Sequence, residues 1–443
     1  MKPTETKLPR KFGLWTAIAV IIGQVIGVGI FLVPAGMAKS VGSPAWLFAI
    51  WLIVGIMTLC GALCYAEMAA RYPEAGGSYV YLREAFGRRT AFLYGWMVLL
   101  VLDPGLTAIF GVGFASYTSF LFELPAAAAP FVAIAVIITI GGITILGTRV
   151  GTGFLKALTL IKIATLAFIV VFGFGSGKGQ LANLQPFFTT PPDVFGALAG
   201  GFVGAFFAFA GWWEVTRIAG EIEEPERNIP RVLSLGVVGL TVIYIMTSAV
   251  FMYLVPAASV ANDEAFAALA GQALFGDIGG SVFSAVVMIS VAGTLFAYLL
   301  ASPRVYVAMA NDGLFFKYFG EVSQRFGTPL RATLIQIVLA CVLVLSGSFK
   351  EILAYFFFVV ILVVGVAIAG LFRIRRKPFT GYSTPWFPLP ALIYLVLTLV
   401  VLVFVGMQNP LQTVIGIGVV SLGIPVYHFV FKGTYGVDKD DQI

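Results

Sequence analysis

Apolar residues in this chain do not alternate with polar ones. They run on for about twenty residues at a time, separated by short polar joints. Twelve such runs stand out, roughly at 14–38, 45–70, 90–121, 127–147, 154–175, 197–220, 231–256, 279–311, 330–347, 351–372, 386–407 and 411–431. A helix rises about 1.5 Å per residue, so about 20 apolar residues cross the hydrocarbon layer of a bilayer. Pro125, Pro230, Pro329, Pro385 and Pro410 fall at the joints, where a residue without an amide hydrogen does least damage. The pattern predicts an all-α membrane protein with twelve transmembrane helices.

Two of these runs are flawed in the middle. GQVIGVGIF, Gly23 to Phe31, lies inside the first and carries glycines at 23, 27 and 29. AFFAFAGWWEVTR, Ala205 to Arg217, lies inside the sixth, where Ala210–Gly211 meets two tryptophans and Glu214. A helix break leaves N–H groups of one half and C=O groups of the other without partners. In hydrocarbon each orphan costs several kcal/mol unless something satisfies it. N–H groups at a positive helix end suit a carboxylate, and freed carbonyls suit an ammonium. A zwitterionic amino acid offers both. Paired interrupted helices at matching places in two halves point to a transporter site near the midplane. For the first stretch the alternative is packing, because Gly23-x-x-x-Gly27 also lets two helices approach closely.

Charge decides orientation. With a cytoplasmic N-terminus, the inside joints and tails hold twenty-two of the 27 basic residues and the outside holds Lys39, Lys178 and Lys350. That asymmetry places both ends in the cytoplasm. The net charge of +6 then reports orientation and contact with anionic lipid, not nucleic acid. At 60% hydrophobic and 11% charged, the chain has no room for a large soluble domain. The first run is too long for a signal peptide and no cleavage site follows it. The three cysteines, Cys60, Cys64 and Cys341, predict small core residues rather than a disulfide or metal site, and His428 a structural role. No cofactor is expected.

Glu67, Asp103, Lys162 and Glu214 fall within apolar runs, where ionisable groups are rare and face a cavity or a partner. Asp103 precedes Pro104; it contacts substrate or a proton, or else forms a structural ion pair. Glu214 is a gate or proton candidate. Glu67, near the cytoplasmic end of the second run, predicts a structural pairing with a nearby arginine. Glu221, Glu223 and Glu224 form a solvated acidic cap or an inward gate paired with Arg83 or Arg304. No run shows a repeated polar face, which argues against an ion channel. Nor is there a metal cluster or nucleophile motif, so no enzyme is expected.

At this point the residues resemble a known family. GQVIGVGIF is similar to the first-helix signature G-x-I-I-G-S-G-I-F of the amino acid–polyamine–organocation superfamily, especially its L-type amino acid transporter branch and bacterial permeases. FAFAGWWEVTRIAGEIEEPERNIPR resembles that branch's sixth-helix motif, and the stretches 65–87 and 301–316 match as well. The resemblance implies a five-plus-five inverted-repeat (LeuT-like) fold, with helices 1 and 6 broken and two extra C-terminal helices. Its expected parts are a cytoplasmic tail 1–13, a first repeat 14–175, a second repeat 197–372, helices over 386–431 and a tail 432–443.

By position, Val25, Ile26, Gly27, Val28 and Gly29 would bind the substrate's carboxylate and amino groups through main chain. Phe207 would gate the site. Ala208, Ala210 and Gly211 would line the sixth-helix break, with Trp212 and Trp213 beside it. Tyr298 would wall the pocket. Lys162 is similar to a lysine of sodium-independent members, where an ammonium replaces a sodium ion and donates to carbonyls freed by the first break; the alternative is snorkelling to the cytoplasmic face. Two departures stand out. Val28 replaces a serine, losing a hydroxyl, and the bulk of Trp213 argues for smaller substrates. Animal members bond a glycoprotein partner through a cysteine between spans three and four. ELPAAAAP has none, so no disulfide-linked heavy subunit is expected.

The function implied is sodium-independent, alternating-access transport of small or medium neutral amino acids in the inner membrane, by exchange or with protons. A cationic amino acid or polyamine antiporter is the alternative.

Overall fold

The computed structural model describes residues 12–27, 29–74, 76–146, 152–256, 266–323, 328–346 and 349–431, and among them the chain is helical with no strand. In order, the helices are α1 (Leu14–Val25), α2 (Gly29–Val41), α3 (Pro44–Arg71), α4 (Ser78–Phe86), α5 (Arg88–Met97), α6 (Asp103–Phe122), α7 (Ala129–Ile145), α8 (Thr152–Gly175) and α9 (Val194–Phe209). Then follow α10 (Pro225–Leu254), α11 (Phe266–Ala301), α12 (Arg304–Asn311), α13 (Lys317–Gly320), α14 (Leu330–Ser346), α15 (Phe349–Ile374), α16 (Leu389–Gln408) and α17 (Pro410–Val426).

Nine helices among the described residues are long and apolar enough to span a bilayer, or ten when the bent pair α1–α2 is taken as one. The other two expected runs appear as shorter apolar helices, Leu160–Gly175 and Leu330–Ser346. Hydrophobic length alone therefore supports fewer than twelve spans. Two elements were not foreseen. The polar joint after the second run folds into α4, and the eighth run starts early, as α11 bends at Gly276 with φ 68°.

Both expected breaks are present. The first run parts at Ile26–Gly27, and its halves meet at 49°. In the sixth, α9 stops at Phe209, Ala210 turns extended, Gly211 takes the left-handed φ of 97°, and a tight 3-10 helix continues from Trp212 to Glu221. A left-handed φ is easy for glycine and strained for other residues, which is why the chain turns there. Three positions of close approach let α2 and α9 pack. A Cβ placed on Gly204 would stand 2.8 Å from Val33 Cγ1, one on Gly200 3.2 Å from Ser40 Oγ, and one on Gly29 2.8 Å from Ala208 Cα. The half-helices thus cross at near-backbone contact.

Glu67 is fully buried and ties three segments together. Arg71 Nη2 donates to its Oε1 at 2.8 Å, Arg375 Nη2 to its Oε2 at 2.6 Å, and the Thr384 amide to the same oxygen at 2.8 Å. The expected structural pairing is therefore observed, and it ties α3 to α15 and to the loop ahead of α16. Cys60 and Cys64 are buried free thiols and Cys341 is half-buried.

Candidate functional site

The site is built from what the two breaks leave unpaired. At the first, the Gly27 amide turns back to the Val25 carbonyl at 2.7 Å instead of continuing the helix to Gly23. The Gly23 carbonyl is instead taken by Lys162 on α8, whose ammonium lies 3.3 Å away and also donates to Thr294 on α11. Lys162 is 3% exposed, so its charge stays inside rather than snorkelling outward. The anticipated lysine-to-carbonyl contact is present.

At the second break the donor is a residue sequence reasoning missed. Tyr244 on α10 donates to the Ala208 carbonyl at 2.7 Å, and its oxygen is 3.2 Å from the Val25 carbonyl. One phenol therefore faces the ends of both α1 and α9. Its ring is fixed against Trp51 and Phe209, at 5.2 and 5.1 Å between centroids. Only its place in an apolar run could have drawn notice, and a tyrosine there is common.

The remaining expected residues fall as follows. Val25 and Ile26 are buried at the end of α1, with Gly27 beside Phe110 and Thr294. Phe207 and Ala208 are buried in the last turn of α9, and Ala210 and Gly211 form the turn itself. Trp212 turns into α3, edge-on to Tyr65 at 5.0 Å, and Trp213 stacks edge-on to Trp212 at 5.5 Å. Val28 and the Glu221 side chain lie outside the described residues.

Asp103 does not stand as an open carboxylate. A short π-turn, Val98–Leu102, leads into it. Tyr298 donates to its Oδ1 at 2.7 Å and Tyr306 to its Oδ2. Gln336 on α14 donates to the Thr107 hydroxyl at 3.0 Å, and that hydroxyl donates to the Asp103 carbonyl. Glu214 is paired with Arg217 at 2.7 Å, and Arg217 also reaches Tyr94 at 3.4 Å. Arg217, at the end of the AFFAFAGWWEVTR stretch, is the cation of this cluster. Tyr298 meets Phe110 edge-on at 5.9 Å, and so lies one ring away from the first break.

Two expectations need correction. Ser290, Thr294, Tyr298 and Ser302 recur every fourth residue, so the eighth run does carry a polar face. Three of its hydroxyls are spent on Lys162, Asp103 and Gln336, which makes it a seam between helices rather than a continuous water-lined path. Among the described residues, Arg83 does not meet Glu223 or Glu224 either. Arg83 binds Asp312 at 3.1 Å and Glu74 at 3.3 Å, with Tyr79 also donating to Asp312 at 2.7 Å. Burial and the Asp312 carboxylate push the Tyr79 phenol up, so it keeps its proton and stays a donor. Glu224 pairs locally with Arg227 at 3.8 Å, and the Glu223 amide donates to the Phe12 carbonyl.

An all-helical membrane protein whose two interrupted helices meet, with a lysine and a tyrosine holding the freed carbonyls, has the build of a secondary transporter. The chain belongs to the amino acid permease family, whose pattern it matches over residues 12–424. It is 30% identical to the serine/threonine exchanger SteT of Bacillus subtilis (strain 168), over 98% of this chain and 99% of that protein. It is 29% identical to the Asc-type amino acid transporter 1 of Mus musculus, over 98% of this chain and 82% of the relative. With the large neutral amino acids transporter small subunit 2 of Homo sapiens it shares 27% identity, again over 98% and 82%.

Proposed function

We propose that this protein is a sodium-independent secondary transporter of small neutral amino acids, working by alternating access in the cytoplasmic membrane with both termini inside. Residues 14–175 and 197–372 form its two repeats, and 386–431 the added pair of helices. The observation that carries this reading is the meeting of the two breaks. Main-chain N–H groups at the start of α2, Gly29 among them, receive the substrate carboxylate. Carbonyls at the ends of α1 and α9 receive its ammonium. Phe207 closes over it.

The same geometry weighs against the cationic or polyamine alternative. A distal ammonium needs an available carboxylate, and both acids near the breaks are engaged, Asp103 by two phenols and Glu214 by Arg217. The buried bulk of Trp213 favours small side chains. The relatives named as serine/threonine and Asc-type transporters agree with that choice. A joint without cysteine between α6 and α7 fits a transporter that needs no disulfide-linked subunit.

Counterflow into proteoliposomes, with the twenty amino acids as competitors at two pH values, tests this. Alanine, serine and threonine should compete and arginine and agmatine should not. Competition by arginine or agmatine alone would favour the cationic antiporter, and no exchange of any amino acid would end the transport reading.

A further inference from the structure

One cluster beside the breaks is not used by main-chain recognition of an amino acid. It holds two carboxylates, Asp103 and Glu214, and one guanidinium, Arg217, all inside the helix bundle. Arg217 acts electrostatically on both acids. Among the described residues, the groups around Asp103 come from several elements. Tyr298 on α11 and Tyr306 on α12 donate to its carboxylate; the charges of Arg217 and Glu214 on the 3-10 helix act on it at longer range, and Tyr94 on α5 reaches Arg217. From α14, Gln336 faces only the Asp103 carbonyl and Thr107. Among the described residues no second cation pairs with either acid. With both acids ionised the cluster therefore holds one negative charge in excess. An uncompensated charge within the membrane is costly, and a bound proton removes it.

We propose that Asp103, Glu214 and Arg217 form a proton-binding site, and that this transporter moves a proton together with its amino acid. This rests on the transport reading above and decides between the two energy couplings that reading leaves open. Asp103 is the group that takes the proton. Glu214 has a cation at 2.7 Å, whereas the direct partners of the Asp103 carboxylate are neutral hydroxyls. One proton joins a carboxylate oxygen, no heavy-atom bond forms or breaks, and the same proton leaves on the other side of the membrane. The new carboxyl hydrogen points at one of the two phenol oxygens, so that phenol must turn its own hydrogen elsewhere. Both breaks feel the change. Tyr298 touches Phe110, which lies beside Gly27, and Arg217 sits on the unwound half of the sixth run.

The test uses full-length protein in liposomes loaded with the pH dye pyranine, with radiolabelled L-serine added outside. Serine entry should acidify the lumen in the wild type. In Asp103→Asn the number of protons moved per serine should fall at least tenfold, a ratio that remains readable in a slow variant. Tyr306→Phe removes a donor from the ionised carboxylate, so the external pH of half-maximal proton entry should rise. Serine exchange without acidification in the wild type would overturn the proton site and leave the transport reading intact. An unchanged ratio in Asp103→Asn or an unchanged midpoint in Tyr306→Phe would overturn it equally. If no amino acid exchanges at all, both readings fall.

Discussion

The Tyr244 hydroxyl donates to the Ala208 carbonyl at 2.7 Å, with the Val25 carbonyl 3.2 Å from the same oxygen. A phenol has one hydrogen, so it satisfies two acceptors only by sharing or alternating. The ends of α1 and α9 are thus joined through a single atom. Tyr244→Phe keeps the ring between Trp51 and Phe209 and removes only that atom. It should lower stability by about 1–3 kcal/mol, because buried carbonyls lose their donor. It should also cut exchange about tenfold or more, because the two half-helices no longer share a tie. Thermal unfolding in detergent and counterflow in liposomes read the two effects separately. Wild-type exchange by Tyr244→Phe would remove the tie from the mechanism.

Lys162 predicts the opposite pairing of effects. Its ammonium is buried and donates to the Gly23 carbonyl and the Thr294 hydroxyl, and no carboxylate pairs with it among the described residues. A buried charge held by neutral partners is costly to the fold. Lys162→Met keeps the length of the side chain and removes the charge. The variant should unfold at an equal or higher temperature than the wild type while exchange falls at least tenfold. A loss of both stability and exchange in proportion would make Lys162 a structural residue. Thr294→Ala, which takes away one of the two acceptors, should slow exchange less.

How far the sequence reaches can be judged at single positions. The breaks were legible because glycine in a membrane helix is a local signal, and Lys162 because a lone lysine in an apolar run must find acceptors nearby. Glu67 was legible as structural for the same reason, though its second arginine, Arg375, comes from 308 residues away in sequence. Tyr244, Arg217 and Tyr306 were not, and Tyr298 was marked only through the resemblance, as a pocket wall and not as a partner of Asp103. Their partners lie 36 to 219 residues away for Tyr244 and 195 and 203 away for Tyr298 and Tyr306, and apolar periodicity says nothing about which hydroxyl meets which carbonyl. The polar face at Ser290, Thr294, Tyr298 and Ser302 was present in the sequence but diluted, since four hydroxyls in one long apolar run barely change its hydropathy.

Glu67→Gln separates fold from function. The carboxylate is fully buried and accepts from Arg71, Arg375 and the Thr384 amide. An amide keeps one acceptor oxygen and turns an NH2 donor toward donors in place of the other, and it leaves two guanidinium groups without their counter-charge. Removing one partner of a buried ion pair costs about 3–5 kcal/mol. The variant should be markedly less stable to heat, with little folded protein recovered. The folded fraction should exchange at the wild-type rate, because the clamp lies at the C-terminal ends of α3 and α15, apart from the breaks. A defect in rate per folded molecule would show that the clamp moves during the cycle.

The glycines of GQVIGVGIF turn out to differ in kind, which gives the sharpest comparison. A Cβ at Gly29 would stand 2.8 Å from the Ala208 Cα, a backbone atom that cannot turn away. A Cβ at Gly27 would stand 3.1 Å from Phe110 Cε1, the edge of a ring that can rotate by a few tenths of an ångström. Gly29 therefore serves the packing of α2 on α9, and a larger residue such as leucine there would act first by forcing the half-helices apart, not by filling a carboxylate site. Gly29→Ala should lose stability by about 1–3 kcal/mol, the usual cost of overpacking, and with it most transport. Gly27→Ala should keep its stability within about 1 kcal/mol. Its effect should be on substrate affinity, because the added methyl crowds Phe110 and Thr294 at the first break. Unfolding temperatures of the two variants, set beside the serine concentration for half-maximal exchange by Gly27→Ala, distinguish packing from binding. Equal destabilisation by both would make the whole stretch a packing motif, and the site would then have to rest on α9 and Tyr244.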